Sequence, residues 1–248
     1  MSKVLIAFAM KEEFAPWQRR HHFQPVGVAD HLVFRTTFGA IEALVVLTGA
    51  GARDAGHFPS LIDRIAPSWG IVCGVAGGLK PEWRPGDMLV AQCVSTPKGE
   101  ETIPSDPALI ELAMSCGAKP ASVLVSLPHI ASTVAEKARW ATLGDVADME
   151  SFTLMKPFHD RGIPALALRV IVDPAEMAMP CNFETAMDAR GQVRITHVLS
   201  QLARRPKALP SFLHFALLSR RATSLLARSL DRFLEQLDGQ RSASATSL

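Results

Sequence analysis

The chain has 248 residues, of which 48% are hydrophobic and 20% are charged, and its formal net charge is +2. This length is enough for one large domain with a substantial core, and the composition excludes collagen, a disordered polymer and a small disulfide-stapled fold. Because the chain has no tyrosine and only 6% aromatic residues, we do not expect a surface that stacks nucleic-acid bases.

The first two thirds of the chain predict strands that alternate with helices. Apolar runs typical of strands buried on both faces lie at 4–10, 43–48, 70–73, 88–94, 122–126 and 165–172, and residues 34–38 fit an edge strand. Helical patterns lie between them at 53–65, 107–115, 133–142 and 148–161. Strands that alternate with crossover helices predict a three-layer α/β domain around a mostly parallel sheet.

The last quarter of the chain is helical in pattern and basic. Eight Lys or Arg residues accompany a single acid between residues 194 and 232, whereas residues 1–193 carry a net negative charge. We therefore divide the chain into a main domain at 1–193, a basic helical extension of that domain at 194–240 and a disordered tail at 241–248. Two interpretations of the extension stay open. Either one helix face packs on the domain with the arginines in water, or residues 194–237 are drawn to an anionic membrane surface.

Cysteine usage and hydropathy predict a cytoplasmic protein, or one held peripherally on the inner membrane by its basic helices. The four cysteines are widely spaced, the apolar run at 4–10 is too short for a secretion signal, and no run reaches the roughly 20 residues that span a bilayer. The sequence contains no HExxH motif and no Cys/His ligand spacing, so we predict no metal site. The basic helices contain no recognisable DNA-binding pattern, so we expect no nucleic-acid partner.

Acids and glycine-rich turns are predicted to follow several of the strands. Glu13 comes after the first strand, Gly49 and Gly51 after the second, the segment 74–78 (GVAGG) after the third, and Asp173 after the last. In open α/β sheets, ligands bind beyond the carboxyl ends of the strands. The sequence therefore predicts a ligand site at this edge of the sheet.

Each of these features also has an ordinary structural explanation. A dinucleotide-binding fingerprint requires Gly or Ala three residues after Gly51, where the chain has Asp54, so that cofactor is not favoured. Glu13 and Glu150 fit first-turn acids stabilised by a helix dipole, and Asp173 fits a helix cap or a turn acid.

Several segments carry a family resemblance when they are taken together and in order. They are 9–13 (AMKEE), 49–51 (GAG), 74–79 (GVAGGL), 85–87 (PGD), 148–151 (DMES) and 169–173 (RVIVD). The chain resembles the nucleoside phosphorylase and nucleosidase superfamily over residues 4 to about 176, especially its 5′-methylthioadenosine/S-adenosylhomocysteine nucleosidases. The variants at 148–151 and 173–176 (DPAE), and the sequence 188–193 (DARGQV) with its basic helical continuation, are most similar to the hopanoid-associated phosphorylases.

The resemblance implies a three-layer α/β/α nucleoside phosphorylase-like fold and an enzyme that cleaves the N-glycosidic bond of a 5′-substituted adenosine. For the hopanoid-associated phosphorylases the implied substrate is the lipid-linked nucleoside adenosylhopane, which loses adenine. The alternative within the family is a methylthioadenosine/S-adenosylhomocysteine nucleosidase. Two alternatives of other classes are a non-catalytic nucleoside-binding module and a scaffold protein that works through its basic helices. Family members are usually oligomers, so a homo-oligomer is implied.

The resemblance also assigns roles to individual residues. Asp173 matches the acid that protonates the leaving purine near N7, and Glu13 matches the acid that activates the attacking water. Glu150 matches the carboxylate that binds the ribose hydroxyls, and Met149 is expected to pack on the sugar. The remaining substrate-binding positions, where a purine can approach the backbone, are Gly51, Ala76, Gly77 and Gly78.

Two residues depart from the nucleosidase pattern and leave the nucleophile open. Val172 and Val75 stand where the nucleosidases usually have hydroxyl residues, which makes a standard methylthioadenosine enzyme less expected. Phosphorolysis requires a cation for phosphate, and Arg53 is the candidate, although a surface helix residue is the more ordinary explanation. Glu13 favours water instead. No cofactor is expected, with phosphate as the co-substrate only in the phosphorolytic case.

Overall fold

The computed structural model describes residues 1–28, 31–189, 191 and 193–246, with side chains described up to residue 240. The strands are β1 (Ser2–Phe8), β2 (Gln24–Val28), β3 (His31–Phe38), β4 (Ile41–Leu47), β5 (Trp69–Gly78), β6 (Met88–Ser95), β7 (Thr102–Pro104), β8 (Lys119–Ser126), β9 (Val146–Asp148) and β10 (Ala165–Asp173). The helices are α1 (Lys11–Gln18), α2 (Phe58–Ile65), α3 (Pro107–Ser115), α4 (Val134–Trp140), α5 (Ser151–His159), α6 (Ile195–Arg204) and α7 (Leu209–Thr246).

The sheet is mixed, and part of it closes on itself. Its order is β10-β6-β8-β9-β5-β1-β4-β3-β2, and β10 also pairs with β5, so five strands form a closed ring. The central pairs β1–β4, β1–β5 and β10–β5 are parallel, whereas β10–β6 and β5–β9 are antiparallel. The strand β5 therefore contacts β1, β10 and β9, and its carboxyl end lies where the open sheet meets the ring.

Helices cover both faces of the sheet, and the residues of β1 are buried alternately in the two cores on either side. Val4, Ile6 and Phe8 belong to the core that packs under α1, α3 and α7. Leu5 and Ala7 belong to the opposite core, which packs under α2 and α5. The predicted three-layer α/β/α arrangement is confirmed.

The long helix α7 is part of the main core. Its buried face includes Leu226, Leu230 and Phe233, which pack in the same cluster as β1 and β10. Asp231 on this helix accepts hydrogen bonds at 2.7 Å from Trp17 Nε1 and Arg20 Nε of the α1 region. One face of the basic helix thus packs on the domain, and the division at residues 193 and 194 is not a structural boundary in the core.

The structure differs from the sequence predictions in several elements. Residues 34–38 belong to β3, which is not an edge strand because β2 pairs with its outer side. The strand β2 was not predicted, since its sequence (QPVGV) lacks an apolar run. The segment 74–78 is the end of β5 and not a turn. The helix expected at 148–161 begins at Ser151, with Glu150 as its N-cap residue. The helix α7 extends to Thr246, into the segment 241–248 that was expected to be a disordered tail; residues 247 and 248 lie outside the described part.

Candidate active site

Asp173 lies at the end of β10, where the strand pairing is irregular. Ile171 pairs with Ala76 of β5 and Asp173 pairs with Gly77, so Val172 is an extra residue in β10. A bulge of this kind re-aims the side chains that follow it. Asp173 is buried, and its Oδ2 lies 2.6 Å from the Nζ of Lys137 on α4. Burial raises the pKa of Asp173 to about 6, although the Lys137 ammonium lowers it.

Glu13 lies in the first turn of α1, directly after β1. Its Oε2 accepts a hydrogen bond from the Met10 amide, and its Oε1 accepts one from the Val75 amide of β5, both at 2.9 Å. The carboxyl group is therefore buried between α1 and β5 rather than in solvent. Burial raises the pKa of Glu13, while the nearby Arg169 guanidinium and the backbone donors lower it.

Glu150 occupies the N-cap position of α5, and its side chain reaches across to the turn after β4. Its Oε1 accepts a hydrogen bond at 2.6 Å from the amide of Gly51, which has a positive φ of 68° that favours glycine. Burial, and then the negative charge of Asp148, raise the pKa of Glu150, and Arg169 opposes this shift. The neighbouring Met149 is half-buried, and its Cε lies 3.4 Å from where a Cβ on Gly51 would stand.

Arg169 of β10 organises the acids beneath the site. It is fully buried, and its Nη2 lies 2.6 Å from Asp148 Oδ2 and 2.9 Å from Ser151 Oγ. Ser126 Oγ donates to the other oxygen of Asp148 at 2.7 Å. Arg169 Nη1 has no hydrogen-bond partner among the described residues. The ion pair between Arg169 and Asp148 fixes the turn that presents Glu150. The positive charge of Arg169 also acts on Glu13.

A cavity of about 360 Å³ brings most of the predicted residues together. The predicted site residues that line it are Glu13, Ala76, Gly77, Met149, Glu150 and Asp173. A Cβ on Gly77 would stand 3.0 Å from Asp173 Oδ2, so this position lets the backbone lie close to the carboxyl group.

Three predicted residues do not line the cavity. Gly78 turns towards Trp83 and Pro174, because successive residues of a strand face opposite sides. Gly51 acts through its amide on Glu150. Arg53 is exposed, its Nη1 donates to the Asp188 carbonyl at 3.1 Å, and it lies outside this cavity.

The residues that close the cavity and two buried cations were not predicted from the sequence. Lys137 lines the cavity and Arg169 lies beneath it. An arginine within the otherwise apolar run ALALRVIV was a signal for a buried ion pair, whereas Lys137 had no such signal. The apolar side chains that close the cavity from the segment after β10 and from the extension are Met179, Phe183, Met187, Val193, Ile195 and Phe215.

A protein-family model described as the phosphorylase superfamily matches residues 3–204. The chain belongs to the phosphorylase superfamily. This membership confirms the predicted superfamily and the predicted enzyme class, cleavage of an N-glycosyl bond. No curated protein matches the chain.

Solved structures of nucleosidases and of a futalosine hydrolase share the fold. A 5′-methylthioadenosine/S-adenosyl homocysteine nucleosidase variant from Helicobacter pylori, with 5′-methylthioadenosine in its active site, has a TM-score of 0.73 and 18% identity, covering 95% of this chain and 99% of that chain. The futalosine hydrolase of Helicobacter pylori has a TM-score of 0.73 and 18% identity, over 95% and 98% of the two chains. The nucleosidase from Campylobacter jejuni has a TM-score of 0.71 and 16% identity, over 95% and 99%.

The described residues offer neither a metal-binding cluster nor a membrane-spanning helix. Within the described ranges, no group of three or more His, Cys, Asp and Glu residues could hold a metal ion. No helix among those residues is both long and apolar enough to cross a bilayer.

Proposed function

We propose that this protein releases adenine from a 5′-substituted adenosine whose 5′ group is apolar, with adenosylhopane as the favoured substrate. The observation that carries the proposal is the single cavity lined by Asp173, Glu13 and Glu150. An acid with a pKa near 6 can donate a proton at neutral pH. A second buried carboxylate can accept one, and a third can bind the hydroxyl groups of a ribose.

The reaction follows from these three carboxyl groups. Asp173 donates its proton to N7 of adenine as the bond between C1′ and N9 breaks and its electron pair moves to the base. Glu13 removes a proton from a water molecule, whose oxygen bonds to C1′. The products are neutral adenine and the 5′-substituted ribose, and a proton passing through solvent from Glu13 to Asp173 restores the starting state. Glu150 accepts hydrogen bonds from the ribose hydroxyls and Met149 packs on the sugar.

The lining of the cavity next to Glu150 supports the proposal that the 5′ group of the substrate is apolar. The Ala50 amide donates a hydrogen bond at 3.2 Å to the carbonyl of Gly191, so Gly191 lies beside the turn that holds Glu150. Met187 and Val193, which pair with each other through a β-bridge, line the cavity. The sugar end of a nucleoside bound to Glu150 would therefore face apolar side chains, which suits a hydrocarbon substituent.

Water is the favoured nucleophile. Among the described residues, Lys137 is the one Lys or Arg that lines the cavity, and its ammonium is bound to Asp173. Arg53 lies outside the cavity, and Arg190 lies outside the described residues. Phosphorolysis needs cations for phosphate, so hydrolysis assisted by Glu13 fits the described residues better.

A product assay tests this proposal. The protein is incubated with adenosylhopane, with 5′-alkylthio adenosines of increasing chain length and with methylthioadenosine, each with and without phosphate, and the base and sugar products are identified by mass spectrometry. We expect adenine and a free 5′-substituted ribose, with kcat/KM rising with chain length. A preference for methylthioadenosine would favour the nucleosidase alternative, and a ribose 1-phosphate product would favour phosphorolysis. Tight binding without turnover would favour a non-catalytic module.

We also propose that the extension contacts an anionic membrane surface, where a lipid-linked substrate resides. Leu209, Leu213 and Leu217 recur every fourth residue on α7, and all are between 44% and 56% exposed. The same helical stripe continues into Arg220 and Arg221, which are exposed. Exposed leucines followed by arginines match the apolar and positively charged requirements of an anionic lipid surface.

The membrane proposal is tested with point variants, since truncating the extension would remove core residues of α7. We expect the double variant Leu213→Gln/Leu217→Gln to lose binding to phosphatidylglycerol vesicles, and wild-type binding to weaken with salt. Leu143→Gln, at an exposed leucine outside the extension, is the matched control. Equal vesicle binding by the double variant and the wild type would contradict the proposal. A change of oligomeric state in the double variant would instead identify an interface between copies of the chain.

A further inference from the structure

We propose, on the basis of the function proposed above, that Lys137 is a positioning residue that holds the Asp173 carboxyl group so that its Oδ1 presents the proton to the leaving purine. Lys137 lies at the fourth position of the short helix α4, and its side chain is 1% exposed. Its Nζ lies 2.6 Å from Asp173 Oδ2. No other described side chain is hydrogen-bonded to Asp173.

All three N–H groups of Lys137 have acceptors. Besides Asp173, Nζ donates to the carbonyl of Pro174 at 2.8 Å and to the carbonyl of Met177 at 2.9 Å. An ammonium group has three donors and no acceptor, so these contacts use its full capacity. Lys137 therefore holds both the carboxyl group and the chain that follows β10.

The direction of these hydrogen bonds decides which oxygen carries the proton. Because Lys137 can only donate, it binds Oδ2 best when that oxygen is unprotonated. The proton of the neutral acid is then placed on Oδ1. Val172, directly before Asp173, has no hydroxyl group that could orient the carboxyl group instead. Lys137 thus supplies, from helix α4, the donor that Val172 of strand β10 lacks.

A buried lysine also changes the proton affinity of a neighbouring carboxyl group. This effect distinguishes a residue that positions Asp173 from one that only supports the fold. The positive charge of Lys137 lowers the pKa of Asp173, while burial raises it. The other titratable groups around the cavity are Glu12, Glu13, Asp148, Glu150 and His129, with Glu136 of α4 hydrogen-bonded to His129. None of these is altered by substituting Lys137, so a change in the pH profile would report on the contact between Lys137 and Asp173.

The test compares Lys137→Met with the control Lys156→Met, at an exposed lysine of α5 paired with Asp160. For adenine release we expect Lys137→Met to lower kcat about 100-fold with little change in KM. We also expect the loss of activity at high pH to begin at a higher pH than in wild type. A cleavable riboside of 4-nitrophenol, whose leaving group departs as a stable anion, should lose less than about threefold because it needs no acid.

Equal losses on the two substrates with an unshifted pH profile would show that Lys137 only supports the fold and would overturn the proposal. If Lys137→Met does not fold, Lys137→Gln is used, since its amide can still donate to Oδ2; the expected loss on the adenine substrate is then smaller and still selective for that substrate. Asp173→Asn separates the two proposals. If Asp173→Asn releases adenine at the wild-type rate, the proposed function fails. If it shows the selective loss and the Lys137 variants do not, only the positioning role fails.

Discussion

Glu13 of α1 accepts a hydrogen bond at 2.9 Å from the amide of Val75 in β5, which ties the start of the helix to the strand that floors the cavity. This contact fixes the carboxylate that is proposed to activate water. Glu13→Gln removes the base but preserves the shape of the side chain. We expect kcat for adenine release to fall by about 100-fold or more, since general-base catalysis contributes about that much.

The control for this prediction is Glu111→Gln, at an exposed position of α3 on the same face of the sheet. It should release adenine at the wild-type rate. Steady-state assays and thermal unfolding of both variants complete the measurement. Wild-type activity in Glu13→Gln would show that Glu13 is not the base that activates water.

The buried ion pair between Arg169 and Asp148 predicts a large effect on stability. Arg169→Met leaves Asp148 buried without its partner, so we expect the free energy of unfolding to fall by about 3–5 kcal/mol. Arg161 pairs with Asp63 at the surface at 2.6 Å, and Arg161→Met should cost at most about 1 kcal/mol. Urea unfolding of both variants measures the two values, and similar losses would contradict a structural role for the buried pair.

We expect the substitution Glu150→Gln to give a variant that is more stable and less active than the wild type. The folded protein holds the Glu150 proton to a higher pH than the unfolded chain, where the pKa is near 4.5. The unfolded chain therefore loses this proton first, and the wild type loses stability as pH rises above that value. Glu150→Gln cannot titrate, so its melting temperature should rise relative to wild type between pH 5 and pH 8, by about 2–4 °C per kcal/mol.

The same variant should bind the ribose less well, so KM should increase. Melting curves at pH 5, 6, 7 and 8 for Glu150→Gln and for the surface control Glu111→Gln measure the stability effect. A difference from wild type that stays constant across this range would contradict the raised pKa of Glu150.

We expect a side chain at position 77 to disturb the site sterically. A Cβ there would stand 3.0 Å from Asp173 Oδ2, so Gly77→Ala must displace the carboxyl group. We expect kcat/KM to fall about tenfold or more, because small misplacements of reacting groups are costly. Gly27→Ala in β2, where a Cβ meets nothing within 4 Å, should leave kcat/KM unchanged. Equal kinetics in both variants would mean that Gly77 does not lie against the reacting groups.

Local sequence predicted the parts of the fold that depend on local pattern. The apolar run at 165–172 became β10, all of whose residues are buried, and Asp106 followed by Pro107 marks the start of α3 through a side-chain cap at 3.0 Å. The segment 74–78 was misjudged because glycines usually mark turns. Here they extend β5, where a Cβ on Gly74 would overlap Arg169.

The candidate site could be predicted only in part. Glu13, Glu150 and Asp173 lie near strand ends, so chain order and family resemblance were enough to bring them together. Lys137 lies in an unremarkable helix, and its contact with Asp173 depends on how α4 packs against the end of β10. The apolar side chains from the extension depend in the same way on where α6 and α7 lie in the fold.

The most direct test is the pH dependence of kcat/KM for adenine release from a 5′-alkyl adenosine, in the wild type, in Asp173→Asn and in the surface control Asp160→Asn. Since Asp173 has a pKa of about 6, wild-type and Asp160→Asn activity should fall about tenfold per pH unit above that value. Asp173→Asn should be at least about 100-fold slower and lack this decline. Adenine release by Asp173→Asn at the wild-type rate, with the same decline, would contradict the assignment of Asp173 as the acid.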